Sequence, residues 1–208
     1  MANELTKEDI LRYFDVLNEH LKARGINGEI IMCGGASLSC IYNARNSTHD
    51  IDAVFEPAKD FREIIKQIAD DHNLTDDWLN DGVKGFLSSN MTSTIYKEYS
   101  NLSVRSIDAD GLLALKLTSA RLFSTDKQDS ICLMKHLGVQ SEQEMFDIVD
   151  KYIPKRQQSL RSYYFSKEAF QEYSEKGIEK KSISQRKDLY SQKAQKTKRD
   201  REKPDRER

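Results

Sequence analysis

The first part of the chain carries apolar residues at two different periods. A stripe at helical spacing follows Thr6, which is placed as an N-cap with Asp9 three residues later, and Gly25 stops it. The stripe consists of Ile10, Phe14, Leu17 and Leu21. Residues 29–33 then form a short apolar run typical of a buried strand, and residues 36–42 predict the helix that leaves a Gly34-Gly35 turn.

Strict alternation marks the next strand, over residues 49–55. Ile51, Ala53 and Phe55 are predicted to share one face of that strand, while Asp50 and Asp52 share the other. The later pattern predicts a crossover helix to about residue 71, extended segments at 93–99 and 102–107, and further helices at 109–122, 126–138 and 141–152.

This order of elements predicts an α/β fold, classed as α+β in some schemes. We expect a small mixed sheet with packed helices, followed by a helical C-terminal region. Residues 1–153 would form the main domain, 154–174 a helical extension, and 175–208 a basic tail that is either a solvated helix or disordered.

Composition narrows the class of protein. The 208 residues contain no apolar run long enough for a membrane span, and the polar start does not resemble a signal peptide. Cys33, Cys40 and Cys132 are odd in number and lack metal-type spacing, which favours reduced thiols and a cytoplasmic location. No membrane partner is expected.

Charge is unevenly distributed. Residues 175–208 hold 13 Lys or Arg and 7 Asp or Glu, so the tail carries +6 and the rest of the chain −7. A basic tail of this kind either binds RNA or an acidic partner, or serves as a solubilising or assembly segment.

The glycine turn and the aspartate pair suggest a shared chemistry. Two carboxylates on one strand face repel each other unless a cation lies between them, and Mg²⁺ prefers oxygen ligands that it shares with substrate phosphates. Main-chain N–H groups at Gly34 and Gly35, where a helix starts, suit a phosphate group. The pattern therefore predicts phosphoryl or nucleotidyl transfer at Asp50 and Asp52.

These motifs carry a family resemblance over residues 28–153. Gly34-Gly35-Ala36-Ser37 followed by Asp50-Ile51-Asp52 resembles the signature of the polymerase-β-like nucleotidyltransferase superfamily. Thr48-His49-Asp50-Ile51-Asp52 is similar to the form found in minimal nucleotidyltransferases, which include AbiEii-type toxins and a related family of uncharacterised stand-alone proteins. The segment Trp78-Leu79-Asn80-Asp81 resembles that second family.

The resemblance implies roles for further residues. Gly34, Gly35 and Ser37 would bind the β- and γ-phosphates of an NTP, and Asp50 and Asp52 would hold Mg²⁺ or Mn²⁺. The segment from Lys116 to Asp129 is similar to the back half of AbiEii-type proteins, which implies that Lys116 stabilises phosphate charge and Asp129 orients it or the acceptor. On the residues alone, Lys116 is equally a surface lysine and Asp126 a helix N-cap.

Two points stay open in the sequence. Arg45 is either a triphosphate ligand or a solvated loop residue. The superfamily places a third carboxylate on a later strand, but residues 102–106 contain no acid, and Asp108 follows directly after them. Without a replacement, the site would hold one metal ion or bind nucleotide without turnover.

The sequence therefore favours an Mg²⁺-dependent enzyme that moves an NMP from an NTP to a hydroxyl acceptor. The resemblance implies an RNA acceptor, such as a tRNA 3′ end, in a toxin–antitoxin or defence context with a cognate partner. The alternatives are a catalytically degenerate binding or antitoxin module, and an enzyme that AMPylates a protein.

Overall fold

The structure, a computed structural model, describes residues 4–121 and 124–176. Within them, helices are interspersed with the strands and further helices follow the last strand, which confirms the mixed α/β class. The strands are Leu5–Thr6 (β1), Gly28–Met32 (β2), Ser47–Thr48 (β3), Ile51–Glu56 (β4), Leu79–Asn80 (β5), Ser93–Glu98 (β6) and Leu102–Ile107 (β7). The helices are Lys7–Ala23 (α1), Gly34–Cys40 (α2), Ala58–His72 (α3), Ala109–Ser119 (α4), Asp126–Leu137 (α5), Glu142–Tyr152 (α6) and 160–176 (α7).

Five strands form one mixed sheet in the order β5-β4-β2-β7-β6. Strand β2 runs antiparallel to β4 and parallel to β7, and β4 runs parallel to β5 through the crossover helix α3. The remaining strands, β1 and β3, form a separate antiparallel pair. Along β4, burial alternates as predicted, because Ile51, Ala53 and Phe55 enter the core while Asp52 lies on the opposite face.

Local signals set several boundaries. Thr6 and Asp9 form the predicted capping box at the start of α1. The prediction for α2 was wrong at both ends: the helix begins at Gly34 instead of Ala36, and it ends at Cys40 instead of Tyr42. Gly34 alone makes the turn, with a φ of 56°, and Asn43 adopts a left-handed conformation soon after the helix ends.

Two hydrophobic clusters support the sheet. The first packs α1 and α3 on one face, where Trp78 is buried and its indole N–H donates to the carbonyl of Ile65 at 3.1 Å. The second cluster joins α4, α5, α6 and α7, and it includes Leu113, Met134 and Ala169, all fully buried. Helix α7 therefore packs against the preceding helices.

The proposed tail falls almost entirely outside the described residues, which end at residue 176. In the described part of the chain, no helix is long and apolar enough to cross a membrane.

Candidate active site

The aspartate pair lies where β4 begins, next to the start of α2. The main-chain N–H of Cys33 donates to the carbonyl of Asp52 at 2.8 Å, which fixes the helix start against the strand. On the other side, Ile51 donates to the carbonyl of Trp78 at 2.8 Å, so that β5 brings Asn80 alongside. Both carboxylates of the pair are partly buried.

The protein's own side chains crowd both glycines. A Cβ on Gly34 would lie 2.7 Å from Oδ2 of Asp52, and the φ of 56° also disfavours other residues. A Cβ on Gly35 would lie 2.8 Å from Nη1 of Arg45 and would also overlap the Thr48 hydroxyl. The sequence predicted glycine at these positions because a phosphate needs room. The contacts with Asp52, Arg45 and Thr48 already disfavour a larger residue without a phosphate.

Charge is not balanced at the aspartate pair. Asn80 donates from its side-chain amide to Oδ2 of Asp50 at 3.1 Å. Burial raises the pKa of Asp52, and the charge of Asp50 raises it further, while Arg121, Lys116 and Asn80 act in the opposite direction without cancelling the effect. The pair is therefore short of positive charge.

A second group of charges, buried in large part, lies near the pair. Nζ of Lys116 sits between Asp126, at 2.7 Å, and Asp129, at 3.1 Å, and its side chain is only 6% exposed. Arg45 forms an ion pair with Asp129 and donates to the Thr125 hydroxyl at 2.6 Å. We refer to Arg45, Lys116, Arg121, Asp126 and Asp129 as the ion cluster.

The ion cluster decides two of the open alternatives. Lys116 is not a surface lysine, because it is buried between two carboxylates. Asp126 is not the N-cap of α5, since Thr125 holds that position. Although burial acts to raise the pKa of Asp126, hydrogen bonds from Arg121 and Lys116 hold it well below its usual range.

Arg45 is not a solvated loop residue. It connects the loop before β4 to the start of α5, and Nη1 approaches Gly35. The structure thus brings together Asp50, Asp52, Gly34, Gly35, Arg45, Lys116 and Asp129, which all come from the sequence prediction.

Ser37 is the predicted site residue that the structure places elsewhere. Its side chain is fully buried, and its hydroxyl accepts a hydrogen bond from Ser106 at 2.9 Å. The hydroxyl therefore joins α2 to β7 inside the protein and does not reach a surface where an NTP would bind.

No described residue supplies the third carboxylate. Ser106 occupies the end of β7, and both carboxylate oxygens of Asp108 accept hydrogen bonds, from Thr92 at 2.5 Å and Thr94 at 2.7 Å, toward the far edge of the sheet. Within residues 4–121 and 124–176, no three His, Cys, Asp or Glu side chains form a group that could hold a metal ion.

Sequence reasoning gave three of these neighbours no site assignment. In the sequence, Asn80 lies in the segment that resembles the second family, Arg121 lies within the segment from Lys116 to Asp129, and Asp126 could be a helix N-cap. The spacing of Asp126 and Asp129 on one helical face was the available signal, since such residues contact the same neighbour. Their partner Lys116 lies on a different helix, which spacing does not reveal.

A shallow cavity lies at the opposite end of the sheet, where β2 begins and β4 ends. Its lining includes Glu29, Glu56 and Ser103. Glu29 and Glu56 face each other across the strands, and Arg105 and Lys84 pair with them at 3.5 Å each. This cavity does not join the aspartate pair.

Among known protein families, curated proteins and solved structures, none matches this chain.

Proposed function

We propose that this chain is a Mg²⁺-dependent nucleotidyltransferase that moves an NMP from an NTP to a hydroxyl acceptor. One observation carries the proposal: Asp50 and Asp52 lie together at the start of α2, and the pKa of Asp52 is raised by its burial and by Asp50. Such a pair favours a divalent cation, because a cation removes the repulsion that raises this pKa.

The donor set fits Mg²⁺ or Mn²⁺. Asp50 and Asp52 present the hard oxygen donors that these ions prefer, whereas the amide oxygen of Asn80 accepts from the main-chain N–H of Gly82. When bound, the ion would polarise the α-phosphate and neutralise charge on the leaving pyrophosphate.

The chain's own residues would position the reactants. Asn80 orients Asp50 through its amide donor, and Gly34 allows the main chain to turn against Asp52. Cys33 provides no side-chain cap, so the main-chain N–H groups at Gly34 and Gly35 are left to bind phosphate oxygens. The acceptor oxygen bonds to the α-phosphorus, its proton passes to solvent, and the bond to pyrophosphate breaks.

Lys116 and Asp129 would contribute from a distance. Lys116 is buried in ion pairs, so its charge acts on the site through the field that it exerts at Asp52. Asp129 would hold Lys116 and Arg45 together, which places Arg45 behind Gly35.

The acceptor in this proposal is an RNA 3′ end, such as that of a tRNA, in a toxin–antitoxin or defence setting with a cognate protein partner. The family resemblance and the +6 charge of residues 175–208 support it. A protein hydroxyl is the alternative acceptor, and the experiment below separates the two.

A second candidate function is a degenerate module that binds a nucleotide or a partner without turnover. The observation that favours it is the missing third carboxylate among the described residues, since Ser106 and Asp108 are both engaged elsewhere. Such a module would keep its binding partner when Asp50 and Asp52 are neutralised.

The test is label transfer. Full-length protein is incubated with Mg²⁺, each α-³²P-labelled NTP in turn, and total cellular RNA and protein. We expect label on one RNA or protein band with the wild type, and a loss of at least about 100-fold in Asp50→Asn, Asp52→Asn, because the ion loses both carboxylates. Asp70→Asn, Asp71→Asn is the matched control, since both residues are exposed on α3.

Each result assigns a function. Label on RNA or on protein identifies the acceptor class. Binding of an NTP without transfer would favour the degenerate binding module over the enzyme. Transfer that survives in the Asp50→Asn, Asp52→Asn variant would contradict the assignment of the active site to this aspartate pair.

A further inference from the structure

Two of the positively charged side chains that were predicted to contact the substrate, Lys116 and Arg45, already form ion pairs within the protein. Lys116 is held by Asp126 and Asp129 and is almost fully buried. Arg45 is paired with Asp129 and Thr125, and only 19% of its side chain is exposed. A phosphate group would have to break a buried ion pair to reach either residue.

Arg121 combines exposure with a fixed orientation. Its side chain is 66% exposed, yet Nε lies 3.1 Å from Oδ2 of Asp126 and Nη2 lies 3.3 Å from Oδ1. Two roughly parallel hydrogen bonds fix the plane of the guanidinium. Asp126 is itself fixed, since it is 1% exposed and also accepts from Lys116 and the Ser119 hydroxyl at 2.9 Å.

The backbone before Arg121 is unusual. Ala120 ends α4 in a left-handed conformation, with φ 44° and ψ 42°, and it is buried. Alanine disfavours this conformation, and such strain is typical of functional sites. Here the turn directs the chain so that Arg121 comes back to Asp126.

Arg121 belongs to the same neighbourhood as the aspartate pair. A chain of contacts joins them, from Asp52 to Gly34 and Gly35, then to Arg45, and through Asp129 and Lys116 to Asp126. The charges also act on one another: hydrogen bonding to Asp126 raises the pKa of Arg121, and Asp52 and Asp50 add to that effect.

We propose that Arg121, fixed by Asp126, is the side chain that binds the polyphosphate of the substrate nucleotide. This inference rests on the proposed function, and it replaces Arg45 and Lys116 as direct phosphate ligands. A guanidinium held by one edge presents its outer edge without further loss of side-chain entropy, and its fork of N–H donors matches phosphate oxygens.

Calorimetric titration of the full chain with Mg²⁺ and three probes tests it: ATP, inorganic tripolyphosphate and AMP. We expect Arg121→Met to weaken the binding of ATP and of tripolyphosphate by about 10–100-fold, which is the range for the loss of hydrogen bonds to a charged group. AMP should change less than about 3-fold, and Arg121→Lys should fall in between because lysine lacks the fork. Arg156→Met, an exposed arginine on the turn Lys155–Gln157, is the control for charge.

Two outcomes would overturn the inference alone. In the first, Arg121→Met binds ATP and tripolyphosphate as tightly as the wild type does. In the second, Arg121→Met loses as much affinity for AMP as for ATP. A wild type that binds no NTP and no tripolyphosphate with Mg²⁺ would overturn the proposed function as well. If Arg121→Met does not fold, Arg121→Lys alone decides, with a loss of about 3–10-fold expected for ATP and none for AMP.

Discussion

The molecule contains two neighbouring pairs of aspartates that differ in how far positively charged side chains balance their charge. Asp126 and Asp129 are each 1% exposed and share three cations. Asp50 and Asp52 are more exposed, but their one described side-chain donor is the neutral amide of Asn80. The better buried pair is thus the one whose charge is fully balanced.

The pKa directions follow from that balance. Hydrogen bonds from Arg121 and Lys116 overcome burial and lower the pKa of Asp126, whereas burial and Asp50 raise the pKa of Asp52. The first pair is therefore complete as a structural element, whereas neither carboxylate of the second pair forms an ion pair with a described residue.

The largest effect is expected from breaking the balanced pair. Lys116→Met would leave two buried carboxylates with less compensation, so we expect the free energy of unfolding to fall by about 3–5 kcal/mol. Urea unfolding at pH 7, followed by the fluorescence of the single, buried Trp78, measures it.

Lys84→Met is the control for this prediction, because Lys84 forms an exposed ion pair with Glu56 and should change stability by less than about 1 kcal/mol. Equal losses in the two variants would mean that the buried pair does not depend on Lys116.

Asn80→Asp gives a sharper test of the unbalanced pair, Asp50 and Asp52. The substitution removes the amide donor and adds a third carboxylate. Without a divalent ion we expect stability to fall by about 1–2 kcal/mol, because a hydrogen bond is lost and like charges gather. With Mg²⁺, the gain in melting temperature should exceed that of the wild type, since a third hard donor binds the ion more tightly.

Asn46→Asp is the matched control for Asn80→Asp, because Asn46 is an exposed loop residue. If Mg²⁺ stabilises both variants equally, Asn80 does not belong to an ion site.

Much of the fold could be predicted because its signals are local. The capping box at Thr6, the alternation along β4 and the boundaries of β7 come from neighbouring residues, and the structure has them as predicted. Helix α2 was misplaced at both ends, and its start lies at a contact between two different elements, where Asp52 approaches Gly34.

The predictions for the candidate site show the same difference between local patterns and contacts of distant residues. Asp50 and Asp52 follow from the period of one strand. Ser37 was misplaced because its partner Ser106 lies on β7, far along the chain. The burial of Lys116 also depends on a helix-to-helix contact with Asp126, since the local pattern allowed a surface lysine equally well.

The smallest effect is expected from Asp52→Asn, and its sign tests the comparison most directly. A carboxyl whose folded pKa lies above 3.8 destabilises the fold when it is ionised, and this penalty disappears as pH falls through the raised pKa. At pH 7 without divalent ions, Asp52→Asn should therefore gain about 1 kcal/mol, or about 2–4 °C in melting temperature, and the gain should shrink toward pH 4.

Mg²⁺ should reverse that order, because the wild type gains about 2.7 kcal/mol at an ion concentration 100 times Kd while Asp52→Asn loses its ligand. Asp126→Asn should instead lose stability at pH 7, since the lowered pKa of Asp126 stabilises the fold above 3.8 and loses that effect as pH falls toward the folded pKa. Differential scanning calorimetry of the three proteins from pH 4 to 8, with Asp70→Asn as an exposed control, measures both signs. A fall in melting temperature for Asp52→Asn at pH 7 without Mg²⁺ would mean that the protein already balances this pair, and the reason to expect a cation at Asp50 and Asp52 would be lost.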